Sequence, residues 1–134
     1  MAALPDMVGI VVDEMARSLA FYRLLGLNIP GGQENEPYVE VVTPNGYRLS
    51  WNSAAMVREI DPDWAPSEKG NRLGLAFKCD SPADVDAVYH RLIAAGYRGH
   101  KEPWDAFWGQ RYATILDPDG INVDLFAPFE VGPS

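Results

Sequence analysis

The sequence has little of what disulfide-bonded, membrane-spanning or nucleic-acid-binding proteins need. Cys79 is the single cysteine, which excludes an intramolecular disulfide. No apolar run approaches the ~20 residues of a membrane-spanning helix, and the first residues lack the basic and apolar regions of a signal peptide. Basic residues number 11 against 19 acidic ones, and a net charge of -8 disfavours a phosphate backbone as partner. We therefore expect a cytoplasmic protein with no nucleic-acid or membrane partner.

The composition is that of an ordinary globular domain. The chain has 134 residues, of which 47% are hydrophobic and 22% are charged. This length is enough to bury a substantial core, and the composition does not indicate disorder. We predict a single domain over residues 1–134.

An internal repeat organises the chain. An apolar run ending in an acidic residue occupies residues 8–13 and recurs at residues 75–80. Each run leads into a segment with the i, i+3, i+4, i+7 spacing of a helix that buries one face. The positions concerned are Ser18, Phe21, Tyr22 and Leu25 in the first copy, and Val85, Val88, Tyr89 and Leu92 in the second.

Capping residues mark the limits of these two helices. Ser81 and Pro82 are typical of a helix start, because a serine oxygen caps free backbone N–H groups and proline suits the first turn. Gly26 and Gly96 follow the two apolar stripes and predict the helix ends.

Matching turns complete each copy of the repeat. Residues 43–46 (Thr-Pro-Asn-Gly) and 117–120 (Asp-Pro-Asp-Gly) are hairpin-type turns between segments of alternating polarity. The sequence therefore predicts an α+β fold of two tandem βαβββ modules. Module one covers residues 6–53, a linker with a short helix covers 54–70, and module two covers 71–128.

This repeat resembles the vicinal oxygen chelate superfamily, which includes glyoxalase I, extradiol dioxygenases, fosfomycin-resistance enzymes and bleomycin-resistance proteins. The residues that carry the resemblance are Asp13, 18–22 and 25–27 in module one, and 108–111 and 117–120 in module two. It spans residues 7–127 and implies a cupped mixed sheet with helices on the outer face. It also implies a homodimer, but no particular reaction, because one fold hosts many functions.

The resemblance implies a divalent metal held by the first and last strands of each module. The corresponding positions are Met7, Ser50, Gly74 and Asp124. Only Asp124 is a competent ligand for a hard or borderline ion. His90 and His100 lie outside these strands. We therefore expect no metal, no other cofactor and no catalytic residue of the kind that the family's enzymes use.

A small-molecule ligand on the concave face is the expected alternative. Strand alternation directs a set of mostly polar side chains to this face, namely Met7, Tyr38, Glu40, Arg48, Ser50, Tyr112, Thr114, Asn122 and Asp124. Trp51 is directed to the helix layer instead. We expect Asp124 and Glu40 to neutralise a cationic ligand, and Arg48, Ser50 and Asn122 to orient it through hydrogen bonds.

Aromatic residues cluster at 104–108 (Trp-Asp-Ala-Phe-Trp), which we interpret as a loop before a strand. Trp104 and Phe107 are candidates for stacking on a flat ligand or closing the rim of its pocket, with Trp108 beside them. A dimer contact or plain loop packing explains such a cluster equally well. For the dimer interface, we expect exposed aromatic residues such as Trp64 or Trp104 to contribute.

Two main hypotheses follow for the function. The first is a metal-free protein that binds and sequesters an antibiotic or another toxic aromatic or cationic compound, as bleomycin-resistance proteins do. The second is a metal-dependent lyase, isomerase or dioxygenase with atypical ligands, or a metal-free enzyme with Asp124 or Glu40 as the base and a tyrosine as the acid. A third hypothesis is a role in assembly alone.

Overall fold

The computed structural model of the chain describes residues 4–66 and 73–129. The chain divides into two compact units, Met1–Pro66 and Ser67–Ser134, which correspond to the two predicted modules. The end of the predicted linker, residues 67–70, and the first two residues of predicted module two lie outside the described residues.

Module one contains three strands and two helices. Its elements are β1 (Val8–Val12), α1 (Met15–Leu25), β2 (Tyr38–Val42), β3 (Arg48–Ser53) and α2 (Ala54–Ile60). The sheet order is β1-β3-β2, with β1 parallel and β2 antiparallel to β3. Residues 27–37 take the place of a further strand but form turns, and α2 is the short helix predicted for the linker.

The predicted stripe of α1 forms the core of module one. Ser18, Phe21, Tyr22 and Leu25 are all buried. Trp51 of β3 is fully buried, and its ring centroid lies 5.3 Å from that of Tyr22. The prediction that Trp51 belongs to the core is confirmed. Fully burying one large apolar side chain contributes about 1.5–3 kcal/mol, so the burial of Tyr22 and Trp51 stabilises the contact between the helix and the sheet.

Module two has the complete βαβββ order. Its elements are β4 (Gly74–Lys78), α3 (Pro82–Ala94), β5 (Gly99–Ala106), β6 (Gln110–Leu116) and β7 (Asn122–Pro128). The sheet order is β4-β7-β6-β5, in which only the β4–β7 pair is parallel. Helix α3 packs on β5, β6 and β7 through its buried Val85, Tyr89 and Leu92. The α+β class and the two-module organisation are confirmed.

The predicted turns and helix cap have the expected geometry. The amide of Gly46 donates to the carbonyl of Thr43 (2.8 Å), and Gly120 donates to Asp117 (3.0 Å); both glycines have φ of 84°. That positive φ is the reason for glycine at these positions. The Ser81 hydroxyl oxygen accepts the amide of Asp84 at 3.2 Å and caps α3.

Within the described residues, no helix combines the length and the apolar character needed to cross a membrane.

Candidate functional site

The pairing registers sort the strand residues of each module onto two faces. In module one, Glu40 lies opposite Ser50 and Tyr38 lies opposite Asn52, so these side chains share a face. The buried Val39, Leu49 and Trp51 occupy the other face, toward α1. In module two, Thr114 lies opposite Asp124 and Tyr112 lies opposite Phe126. The sequence-based assignment of faces to the middle strands is confirmed; the role of these residues in binding stays a prediction.

The polar face of module one is an internally compensated network. The Arg48 guanidinium donates to both Glu40 carboxylate oxygens, at 3.0 and 2.8 Å, and also pairs with Asp6. The Tyr38 hydroxyl donates to Glu40 at 2.7 Å. The Arg48 hydrogen bonds lower the pKa of Glu40, and the bond to Glu40 raises the pKa of Tyr38. Glu40 therefore already has a counter-ion in the protein itself.

Ser50 extends this network toward β1. Its side chain is buried, and its hydroxyl oxygen accepts a hydrogen bond from the Asn52 amide at 3.1 Å. Gly9 lies opposite Ser50 in the register, and a Cβ at residue 9 would come within 3.0 Å of the Ser50 hydroxyl oxygen. The face is thus closely filled around Ser50, and β1 contributes no side chain there.

The corresponding face of module two has a different character. We call Trp104, Trp108, Tyr112 and Phe126 the aromatic panel. Tyr112 stacks on Phe126 with ring centroids 6.3 Å apart, and the edge of Trp108 meets Tyr112 at 5.2 Å. Trp108 also meets Trp104 edge-to-face at 5.5 Å. Such pairs hold each other in orientation and add about 0.5–1.5 kcal/mol each.

The panel remains open to solvent. Trp108 is 47% exposed, and the adjacent Phe107 is 91% exposed at the turn between β5 and β6. The Phe107 and Trp108 rings meet edge-to-face with centroids 4.9 Å apart, and the Trp108 indole N–H donates to Gln110 at 2.8 Å. Trp104, Tyr112 and Phe126 are half-buried. A planar molecule could therefore stack on rings that are already held in place.

Asp124 adjoins the panel and is fixed by two hydroxyl groups. The Tyr112 hydroxyl donates to one carboxylate oxygen at 2.7 Å, and the Thr114 hydroxyl donates to the other at 2.8 Å. Burial, together with the hydrogen bond to Asp124, raises the pKa of Tyr112 to about 12. Each Asp124 oxygen keeps acceptor capacity beyond the bond it already accepts. Asp124 has no ion-pair partner in the part of the chain that the structure describes.

Two lysines share this face. Lys101 lies opposite Thr114 in the register, and Lys78 lies opposite Phe126. The Lys101 ammonium sits 4.8 Å from the centroid of the Trp104 ring, a cation–π contact. Neither lysine forms an ion pair within residues 4–66 and 73–129. Arg111, by contrast, is fully engaged with Asp86 and Asp105.

Comparisons with known proteins now identify the family. The model of the Glyoxalase/Bleomycin resistance protein/Dioxygenase superfamily matches residues 4–125. The chain belongs to this superfamily.

Solved structures of the superfamily share the fold across nearly the whole chain. A glyoxalase/bleomycin resistance protein/dioxygenase from Nocardioides is 25% identical, with a TM-score of 0.74 over 98% of this chain and 88% of that one. A family enzyme from Burkholderia phytofirmans is 20% identical, with a TM-score of 0.77 over 92% and 98%. A glyoxalase-related enzyme from Fulvimarina pelagi is 19% identical, with a TM-score of 0.76 over 99% and 96%. No curated protein matches the chain.

The four positions that the resemblance implies as metal ligands, Met7, Ser50, Gly74 and Asp124, do not suit a divalent metal. In the strand pairing, Ser50 faces Gly9, which has no side chain, and Asp124 faces Ala76. Asp124 is the single carboxylate among the four implied positions, and a thioether, a hydroxyl and a glycine do not replace imidazole or carboxylate donors. Residues 4–66 and 73–129 contain no cluster of three or more His, Cys, Asp or Glu side chains.

Several predicted site residues lie in places other than those expected. Met7 precedes β1 rather than lying on it, because the strand begins at Val8. Trp104 belongs to β5 and not to a loop, since β5 extends to Ala106 and only residues 107–109 form the turn. Trp64 and Trp104 are also half-buried rather than exposed. Asn122, by contrast, lies on the expected strand: it is half-buried at the start of β7, opposite Gly74.

Lys101 and Phe126 lie on the module-two face but are not among the site residues predicted from the sequence. Phe126 could have been found, because it follows Asp124 by two residues on the same strand and must share its face. Lys101 had no such signal, because two register shifts in β5, between Gly99 and Lys101 and between Lys101 and Trp104, decide which face it joins.

Proposed function

We propose that this superfamily member is a metal-free small-molecule-binding protein whose module-two face binds a flat aromatic compound, such as an antibiotic or another toxic molecule that it sequesters. The observation that carries the proposal is the aromatic panel, which is solvent-accessible, held in orientation by its own edge-to-face contacts, and adjacent to Asp124. Binding without bond breaking is enough for such a role.

The physical basis is apolar area combined with stacking. Aromatic side chains offer a large contact area with few rotatable bonds, so little conformational entropy is lost when a ligand covers them. Water released from the panel favours binding at roughly 25 cal/mol per Å² of apolar surface. Asp124, with acceptor capacity beside the panel, supplies the polar group that fixes the orientation of a ligand.

The test is quenching of tryptophan fluorescence by bleomycin and by an acridine dye, two compounds with flat aromatic parts. We expect saturable quenching in the wild-type protein. Trp104→Leu and Trp108→Leu should each weaken binding by about tenfold, because one ring contact of this kind contributes on the order of 1 kcal/mol beyond its area.

Trp64→Leu is the matched control. Trp64 lies in module one beside Arg58 and is not a member of the panel, so this variant should bind as the wild type does. Unchanged fluorescence and an unchanged melting temperature with both compounds would contradict the proposal. Equal loss of affinity in the Trp64→Leu variant would place the site elsewhere.

A metal-dependent lyase, isomerase or dioxygenase is the second candidate, and membership of a superfamily that includes dioxygenases favours it. Metal analysis of the purified protein separates the two functions. A stoichiometric divalent metal that is lost in Asp124→Asn would support the enzyme and overturn the metal-free proposal.

A further inference from the structure

We infer that the ligand of the module-two face is an aromatic zwitterion, with its acidic group at Lys101 and its protonated amino group at Asp124. The inference rests on the proposed function and adds the charge pattern of the ligand. It replaces the expectation of a simply cationic ligand.

The first observation is that opposite charges lie in one row across the sheet. Lys101 on β5 is opposite Thr114 on β6, and Thr114 is opposite Asp124 on β7. Neighbouring strands lie about 4.8 Å apart, so the backbones of Lys101 and Asp124 are separated by roughly 10 Å. This span is comparable with the length of a molecule of two fused rings that carries one substituent at each end.

The second observation is that contacts with other residues hold these two charges apart. The Lys101 ammonium is placed over the Trp104 ring at 4.8 Å, and the Asp124 oxygens accept the hydroxyls of Tyr112 and Thr114 at 2.7 and 2.8 Å. Neither charge has an ion-pair partner among the described residues. Each is therefore positioned beside the aromatic panel and available to a ligand.

The third observation concerns the sign of the surrounding charge. A ligand with only a positive charge would gain at Asp124 but would meet Lys101 and Lys78 on the same face. A ligand with only a negative charge would gain at the lysines but would meet Asp124. A zwitterion gains at both ends, and its rings cover Trp104, Tyr112 and Phe126, which form the neighbouring row of the sheet.

Module one provides the contrast within the same chain. Its face also has a tyrosine hydroxyl that donates to a carboxylate, Tyr38 to Glu40 at 2.7 Å. There, however, Arg48 forms two hydrogen bonds with Glu40 and also pairs with Asp6. The Glu40 charge is thus neutralised internally, and the described residues on this face of module one do not repeat the open pair of opposite charges that module two presents.

The test compares three naphthalenes that differ only in charge, by isothermal titration calorimetry at low salt. The probes are 6-(aminomethyl)-2-naphthoate, 2-naphthoate and 2-naphthylmethylamine, which at pH 7 are zwitterion, anion and cation. We expect the zwitterion to bind at least threefold more tightly than either singly charged probe, because even the weaker of its two ion pairs, the exposed one with Lys101, contributes about that factor.

Two variants assign the ends of the ligand. Lys101→Gln should lower the affinity for the zwitterion and for 2-naphthoate by about threefold and should not weaken the amine. Asp124→Asn should lower the affinity for the zwitterion and for the amine by about tenfold and should not weaken 2-naphthoate, because Asp124 is the more buried of the two charges and accepts charge-assisted hydrogen bonds.

The controls match these variants in charge and setting. Arg58→Gln is the control for Lys101→Gln, because it too removes a cation that lies over a tryptophan ring. Arg58 is 5.1 Å from the centroid of the Trp64 ring in module one. Glu59→Gln removes an exposed carboxylate from α2. Both controls should bind all three probes as the wild type does, and melting temperatures verify that every variant is folded.

The outcomes separate this inference from the proposed function. Binding of all three probes with equal affinity would overturn the zwitterion inference and leave the aromatic site in place. A preference for the zwitterion that survives both Lys101→Gln and Asp124→Asn would also overturn it. Absence of binding by all three naphthalenes, bleomycin and the acridine dye would overturn the proposed function itself.

Discussion

Asp124 and Glu40 are two carboxylates on the corresponding faces of the two modules, and their surroundings give them different chemistry. Glu40 is paired with Arg48, which lowers its pKa and satisfies its charge. Asp124 accepts hydrogen bonds from two neutral hydroxyls. A hydroxyl orients a carboxylate without cancelling its charge, so only the Asp124 charge is available to a ligand.

The tyrosine beside Asp124 provides a prediction at the residue scale. Its pKa is raised from 10.0 to about 12 in the folded protein. Below pH 10, Tyr112 is protonated in both the folded and the unfolded chain. Between pH 10 and pH 12 the unfolded chain releases this proton while the folded one keeps it, so the free energy of unfolding falls as the pH rises. We expect Tyr112→Phe to reduce this fall, as measured by urea unfolding at pH 9.5 and pH 11.5.

Tyr47→Phe is the control for that experiment, because Tyr47 is 48% exposed outside the strands. Tyr38 and Tyr89 also have raised pKa values and add to the alkaline loss of stability in all the proteins compared. The fall in the free energy of unfolding between pH 9.5 and pH 11.5 is therefore compared between Tyr112→Phe, Tyr47→Phe and the wild type. An identical fall in Tyr112→Phe and the wild type would contradict the burial of this hydroxyl beside Asp124.

For individual residues of the candidate site, strand alternation predicts the face of the sheet on which a side chain lies and nothing further. Tyr38, Glu40, Tyr112 and Asp124 were assigned to the correct face because the two-residue period of a strand fixes it. The hydrogen-bond partners of these residues could not be predicted. Whether Arg48 reaches Glu40, and whether Tyr112 reaches Asp124, depends on the strand register and on the side-chain rotamers. Neither property can be deduced from alternation.

At the scale of elements, the first turn of α3 was the most predictable part of the fold. Ser81 caps the helix through the Asp84 amide, Pro82 occupies the first turn, and Asp84 adds negative charge near the positive end of the helix dipole. All three preferences are local, so the sequence is sufficient to predict them.

This cap supports a stability prediction. Ser81→Ala leaves the Asp84 amide without its acceptor and should lower the free energy of unfolding by about 1 kcal/mol. Ser81→Gly should cost only a few tenths of that amount, because water can reach the uncapped backbone. Chemical denaturation followed by circular dichroism measures both variants. An unchanged free energy of unfolding in Ser81→Ala would show that the hydroxyl does not stabilise the helix.

Strand β5 was the least predictable element. It contains Pro103 and two irregularities in its pairing with β6, so its side chains do not alternate regularly. The aromatic residues at its end were therefore interpreted as a loop. In module one the comparable segment, residues 27–37, contains Pro30 and Pro37 and forms turns instead.

At the scale of the whole molecule, the family could be inferred from the repeat but the reaction could not. The model of the superfamily covers residues 4–125, close to the range over which the resemblance was seen in the sequence. The repeat determines the order of strands and helices. Chemistry depends on a few side chains at particular positions, and in this chain the positions that the resemblance implies hold Met7, Ser50, Gly74 and Asp124.

We expect the whole protein to be insensitive to metal removal. A bound metal stabilises the folded state by mass action, so its removal by EDTA would lower the melting temperature. We expect the same melting temperature with and without EDTA, and no increase with added zinc, nickel or manganese. A decrease of several degrees with EDTA that is reversed by one of these ions would contradict a metal-free protein.

The distribution of lysines has a practical consequence for handling the protein. The chain contains only Lys69, Lys78 and Lys101, and the latter two lie on the face of module two beside the aromatic panel. Reagents that acylate amines, including common biotinylation and sensor-chip chemistries, would attach at this face and cover it. Immobilisation through a terminal affinity tag would keep it accessible to the compounds being screened.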